Sequence, residues 1–183
     1  MKKLIFDYAR MCKQYTKNGL RIYGVLRSRK KIKGIVIHFT DATPKNTDTA
    51  KNNCDYFATG IDRQASAHIF IDYMGLSARS LPLNRVAFSV GNPKNSYAKG
   101  LYYARLNNDN TVSIELCGIV GRPASEYQIE TLKTVCKWIK TKCPNVKHIV
   151  RHYDIVKKEC PKWYVDNRKD WLKLQSELLT AIS

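Results

Sequence analysis

The run GIVIHFT, Gly34 to Thr40, constrains the fold more than any other stretch. Ile35, Val36 and Ile37 stand in a row and are followed by His38 and Phe39, so a strand built from them has no solvent face. Such a strand sits at the centre of a sheet that is covered on both sides. It ends at His38, which places an imidazole at a strand terminus, just before the loop DATPKN.

Other segments alternate around this strand. TDTAKNNCDYFAT puts Ala50, Cys54, Phe57 and Ala58 on one helical face, and SAHIFIDYMG alternates like a strand that enters a turn at Tyr73 to Gly75. NTVSIELCG, Asn110 to Gly118, is a second strand. Ser125 and Gln128 form an S-x-x-Q capping box that opens a helix with an apolar stripe of Ile129, Leu132, Val135, Cys136 and Ile139. VKHIV is a short strand, and a final helix carries Trp171, Leu172, Leu178, Leu179 and Ile182 on one face. The pattern predicts an α/β fold: a single domain with a central mixed β-sheet flanked by helices. A chain of 183 residues with no repeat, low-complexity tract or Pro/Gly/Ser-rich linker fits one domain.

Charge and cysteines narrow the function. The net charge of +17 draws the protein toward polyanions, leaving nucleic acid, anionic membrane and anionic wall polymer as partners. LRSRKKIKG, Leu26 to Gly34, is the densest basic cluster and reads as a solvated turn or a polyanion patch. The apolar run after Met1 stops at Asp7, too short for a signal peptide, and no later stretch approaches a membrane span. A cytoplasmic site of synthesis follows. The six cysteines are irregularly spaced, several among apolar neighbours, and are read as reduced thiols. With no heptad repeat, the chain is expected to be a monomer.

The stretch RHYDIVKKECP, Arg151 to Pro161, carries the densest chemistry. Pro161 disfavours helix at Cys160, so the stretch reads as an irregular loop between a strand and the last helix, able to turn His152 and Cys160 toward one point. A zinc site needs a further ligand, for which His38 is the candidate. Spacing alone leaves hydrogen-bonded structural histidines as the alternative.

Several of these segments together resemble the type 2 zinc-dependent N-acetylmuramoyl-L-alanine amidases, the fold of phage lysins and peptidoglycan-recognition proteins. IVIHFT is similar to the family's first metal-ligand strand and SAHIFID to its cleft segment; NTVSIELCG resembles its catalytic strand and RHYDIVKKECP its metal loop. The resemblance covers roughly Lys33 to Trp163, so residues 1–32 are set apart as a basic N-terminal extension and residues 33–183 as the amidase-like catalytic domain.

The resemblance implies that His38, His152 and Cys160 bind Zn2+, with Cys160 where some relatives have aspartate. It further implies that Glu115 is the general base and that Lys158, two before the ligand cysteine, stabilises the oxyanion. For Glu115 the alternative is a structural ion pair, and for Lys158 a solvated lysine. His68 and Ser89 would line the substrate cleft, although His68 is equally a structural histidine. There are two departures. Ala67 stands where some lysins have a tyrosine, which puts the base role on Glu115, and Phe88 and Ser89 replace a tryptophan–histidine pair. The implied reaction is cleavage of the amide between N-acetylmuramic acid and L-alanine of the stem peptide by a phage or prophage endolysin that reaches the wall by a route such as a holin. The rival classes are a binding-only peptidoglycan-recognition module and a basic nucleic-acid-binding protein. The first commonly lacks the cysteine present here, and no helix-turn-helix, zinc-finger or RNA-binding signature supports the second.

Overall fold

The computed structural model describes residues 6–40, 49–59, 62–91, 99–119 and 121–183; the loop DATPKN lies outside them. The chain order is β1 (Tyr8–Ala9), β2 (Tyr23–Leu26), β3 (Gly34–Phe39), α1 (Ala50–Thr59), β4 (Ile69–Ile71), β5 (Ser77–Arg79), β6 (Arg85–Ala87), β7 (Thr111–Leu116), α2 (Glu126–Lys142), β8 (His148–Arg151), α3 (His152–Val156), α4 (Lys162–Asp166) and α5 (Arg168–Ile182). The main sheet runs β1-β5-β4-β7-β3-β8, while β2 and β6 form a separate antiparallel pair. β3 lies parallel to both β7 and β8, β4 is parallel to β7, and β4 meets β5 antiparallel. This is the mixed sheet that the sequence predicts, with its apolar run in an inner position.

All of β3 is buried, because the two faces of the sheet are covered differently. Ile35, Ile37 and Phe39 join Ile114, Leu116 and Ile149 beneath Leu132, Val135 and Ile139 of α2 and Trp171, Leu174 and Leu178 of α5. Burying each such isoleucine is worth about 1.5–3 kcal/mol. On the opposite face Val36 and Val150 pack against Val90, Leu106 and Ile155, and Phe70 packs against α1 through Cys54 and Phe57. This second face carries the odd polar side chains, His38, Ser113 and Glu115, so the site develops there.

The helices follow their patterns with two corrections. α1 buries Ala50, Cys54, Phe57 and Ala58 as expected, and α2 opens on the reciprocal Ser125–Gln128 capping box. In α5 the buried face is Trp171, Leu174, Leu178 and Ile182, whereas Leu172 is exposed. The stripe at i, i+3, i+7 and i+11 through Leu174 sets the phase, and Leu172 falls outside it. RHYDIVKKECP is not irregular throughout, since its first half forms the short helix α3.

Residues 6–32 are built into the same body. β1 extends the sheet beside β5, and Cys12, Ile22 and Ile32 are buried. All six cysteines are buried and none is in a disulfide, and burial raises the thiol pKa of Cys12, Cys54, Cys136 and Cys143, which act as small apolar residues. Among the described residues no helix is long and apolar enough to cross a membrane.

Candidate metal centre

The site forms at the carboxyl end of β3, where parallel strands characteristically open toward ligands. β3 and β7 run in register, His38 beside Glu115 and Val36 beside Ser113, so these partners project from one face. β8 ends at Arg151, and the chain turns at once into α3. Asp154 starts that helix: its carboxylate accepts the Arg151 backbone N–H at 2.9 Å and pairs with the Arg151 guanidinium at 2.6 Å. An acid in the first turn also complements the helix dipole. Arg151 donates onward to the Tyr164 carbonyl at 2.6 Å, which ties α3 to α4. His152 is therefore the first residue of an anchored helix. α3 stops at Lys157, left-handed with φ 57°. The chain then doubles back, with Cys160 N–H donating to the Lys158 carbonyl at 2.7 Å and Tyr153 N–H to the Cys160 carbonyl at 3.0 Å.

This return brings Cys160 onto the histidines. Ligand atoms of His38, His152 and Cys160 all lie within 4.8 Å of one another, the only such group of three among the described residues. Cys160 Sγ is 3.9 Å from His38 Nδ1, and the two imidazoles meet edge to face at 4.8 Å. The three residues are 2–4% exposed. His38 Nε2 and both ring nitrogens of His152 have no hydrogen-bond partner within the geometric limits. Each such buried orphan costs about 1–3 kcal/mol, and a metal that takes one nitrogen from each imidazole would relieve up to two of the three. Burial, with the positive charge of Lys158 added, holds the His152 pKa at about 3 against a weak opposing approach of the Val90 backbone, and burial likewise pushes His38 well below the usual range. Both imidazoles are thereby neutral, as ligation requires. Two imidazoles and one thiol are a zinc donor set, and three protein ligands leave a position open, as catalytic rather than structural zinc sites do. Zn–N of about 2.0 Å and Zn–S of about 2.3 Å would put tetrahedral ligand atoms about 3.4–3.5 Å apart, so the group would fit after closing by up to about 1.4 Å around an ion.

Residues 28–163 match the family Amidase_2, N-acetylmuramoyl-L-alanine amidase. The chain belongs to this family. It is 31% identical over 176 residues to N-acetylmuramoyl-L-alanine amidase CwlL of Bacillus licheniformis, covering 91% of this chain and 44% of that protein. To N-acetylmuramoyl-L-alanine amidase BlyA of Bacillus subtilis it is 30% identical over 184 residues, covering 93% and 45%. The chain thus spans about half the length of these curated relatives. A solved mutant endolysin from Bacillus subtilis shares the fold, with a TM-score of 0.65 at 17% identity over 93% of this chain and 99% of that one.

Around this Amidase_2 centre the other predicted residues take distinct places. Glu115 is half-buried on the strand beside His38. Lys158 is exposed, and its charge is felt by both His38 and His152. Its neighbour Lys157 instead lays its ammonium over the Tyr153 ring, 4.3 Å from the centroid. Ser89 is half-buried, and its hydroxyl touches that of Ser113, two residues before Glu115 on β7. Its loop is held by Asn108, whose side-chain oxygen accepts the N–H groups of Ser89 and Val90, each at 3.0 Å.

His68 does not join the group. It is fully buried, with Nδ1 accepting the Ser113 N–H at 3.0 Å, which leaves the proton on Nε2 to be donated to the Arg85 carbonyl at 3.0 Å. Arg27 lies 3.1 Å from the same nitrogen, but two donors face each other there, and the guanidinium is satisfied by the carbonyls of Asn108 and Thr111 at 2.6 and 2.7 Å. Burial, then the Arg27 charge, holds the His68 pKa at about 3. Both of its ring nitrogens thus meet groups of the protein itself, as the structural alternative expects.

Three supporting residues escaped the sequence reading. Asp154 had a signal, an acid three residues after the end of a strand. Gly100 and Asn108 had none, because their partners are distant in sequence. Gly100 N–H donates to the Ile155 carbonyl at 3.0 Å, and a Cβ at this position would overlap the Asp154 carbonyl.

Proposed function

We propose that this chain is the catalytic unit of a zinc-dependent peptidoglycan hydrolase, cleaving the amide between N-acetylmuramic acid and L-alanine of the stem peptide, in a phage or prophage endolysin. The observation that carries this reading is the convergence of two buried imidazoles, His38 and His152, and the Cys160 thiol at the end of β3, beside Glu115. Family membership supplies the bond class.

In this reading His38, His152 and Cys160 hold the zinc. Zinc bound there supplies Lewis-acid activation of water and of the scissile carbonyl. Glu115 takes the proton from the attacking water and returns it to the leaving amine, which neutralises the departing nitrogen. Lys158, exposed at the rim yet close enough to act on both histidines, offers its ammonium to the oxyanion. Ser89 lines the approach to Glu115. The working unit is a monomer whose catalytic domain spans residues 33–183, with residues 6–32 packed onto it. Its positive charge favours anionic wall polymers, and after synthesis in the cytoplasm it reaches the wall by a route such as a holin.

The test pairs metal analysis with identification of the bond cut in purified walls. Wild-type protein should retain zinc and release stem peptides with a free L-alanine amino terminus. Cys160→Ala should lose both metal and activity, because a two-ligand remnant binds zinc poorly. Glu115→Gln should keep its zinc while turnover falls by roughly a hundredfold or more. A Cys160→Ala protein that keeps metal and activity would overturn the ligand set, and new amino termini elsewhere in the peptide would overturn the bond.

A further inference from the structure

The end of the sheet opposite the metal centre is a cationic pole. The parallel strands β3, β7 and β8 all begin there, with Gly34 aligned with Thr111 and His148. Hydrogen bonds join the segments that precede them. Lys33 N–H donates to the Asn110 carbonyl at 2.8 Å, Lys147 N–H to the Lys33 carbonyl at 2.9 Å, and the Asn145 side chain to the Lys30 carbonyl at 2.8 Å. Three stretches far apart in sequence thus bring Arg29, Lys30, Lys31, Lys33, Arg105 and Lys147 to one surface, every one exposed. None of them takes part in an ion pair among the described residues; the paired carboxylates lie elsewhere, and Asp109 is the one acid in these segments. Like charges gathered without counter-charges repel one another, a standing cost that a bound polyanion relieves.

The pole also has a shaped recess. A cleft of about 390 Å³ is lined by Lys33, Arg105, Asn110, Tyr102 and His148. The Tyr102 ring packs 5.4 Å from the His148 ring, and the Arg105 guanidinium lies 5.7 Å from the Tyr102 centroid, so the cations are held at fixed places around it. Burial, then the charges of Arg105 and Lys147, lowers the His148 pKa. The half-buried Tyr102 ring is tilted at 58° against His148 and has the Arg105 guanidinium over it, so it is poorly placed to stack on a base, which disfavours single-stranded nucleic acid. Lys33 and His38 are five steps apart along extended chain, roughly 16 Å, so a polymer docked here leaves the metal centre open.

We propose that this pole is a docking surface for a phosphodiester-linked polymer of the bacterial wall, with the cleft seating one phosphate between Lys33, Arg105 and His148. The choice of polymer rests on the wall-hydrolase reading above; the surface itself does not. It would hold the enzyme on the wall while the opposite end works on peptidoglycan.

The experiment compares two triple variants of equal net charge. Lys33→Gln, Arg105→Gln and Lys147→Gln remove charge from the pole, whereas Lys137→Gln, Lys169→Gln and Lys173→Gln remove it from exposed positions on α2 and α5. Binding to a glycerol-phosphate oligomer and to intact walls is measured across a salt series, alongside peptide release from a small soluble muramyl-peptide. The pole variant should bind roughly tenfold more weakly, with a log–log salt slope shallower by about two, and the control variant should change less than twofold. Cleavage of the small substrate should be unchanged in both, so a chain that binds but does not cleave refutes the hydrolase reading and leaves the surface standing. The His148 imidazole resonance should shift on adding the oligomer. Equal weakening in the two variants, undiminished binding to walls stripped of phosphate, an unmoved His148 signal, or a preference for duplex DNA of matched phosphate number would each overturn the proposal.

Discussion

Two adjacent lysines have opposite surroundings. Lys157 is fixed by its left-handed backbone and by its ammonium over Tyr153, while the charge of Lys158 falls on both candidate ligand histidines. Lys158→Ala should therefore lower kcat by about ten- to a thousandfold with zinc content unchanged, and Lys157→Ala should only weaken wall association slightly, an effect that salt masks. Steady-state kinetics on a soluble substrate, with metal analysis in parallel, separates them; greater damage from Lys157→Ala would overturn the assignment. His68 provides a second residue-scale test. Its folded pKa of about 3 lies below the unfolded value, so the unfolded chain binds a proton that the native chain refuses. Its contribution to stability is complete above about pH 6.5 and is lost as pH falls toward 3, at up to about 1.4 kcal/mol per pH unit. Its NMR signals should remain those of the neutral Nε2–H tautomer throughout pH 5–8, and a midpoint near 6.5 would refute the buried network. His38 was legible in the sequence because it interrupts a run with no other polar residue. The fate of His68 was not, since it depends on Arg27 and Ser113, remote in sequence.

Elements of different length were legible to different degrees. β3 announces itself by its unbroken apolar run, and α1 and α2 by having enough turns for the apolar period to show. β5 and β6, three residues each, are too short to show a period, and the five residues of α3 cannot display a helical stripe either. α3 exists because of what flanks it, Asp154 at its first turn and the 99–106 segment on its side. That dependence is testable at Gly100, where backbone lies directly on backbone: Tyr102 N–H donates to the Asp154 carbonyl at 2.8 Å, and Gly100 N–H to that of Ile155. Gly100→Ala must push the two segments apart, at a cost of about 1–3 kcal/mol. The melting temperature should fall by several degrees, and zinc should be lost to a chelator at lower concentration, because His152 rides on α3. Unchanged chelator competition would show that His152 is held independently of this contact.

At the scale of the whole molecule, described residues before the family match contribute to the buried core. The match begins at residue 28, yet Cys12 and Ile22 are packed with Phe57 of α1 and Phe70 of β4, and Tyr8 donates to Asp55 of α1 at 2.6 Å. The residues resembling the family reach back only to Lys33, because the signal there is chemical, a strand bearing a ligand, and the earlier residues carry none of that chemistry. Their contribution is apolar area on the face of the sheet that also bears His38 and Glu115. Ile22 is fully buried, so Ile22→Ala removes its burial and leaves a cavity beneath α1, costing about 2–5 kcal/mol. Chemical denaturation should show that loss as a lower midpoint with an unchanged slope. Zinc content and turnover below the transition should stay at wild-type levels, because no ligand or proton-transfer group touches Ile22. Wild-type stability in Ile22→Ala would mean that the first thirty residues lie passively on a domain complete without them. A loss of zinc in still-folded protein would mean instead that the segment positions the site as well as covering the sheet.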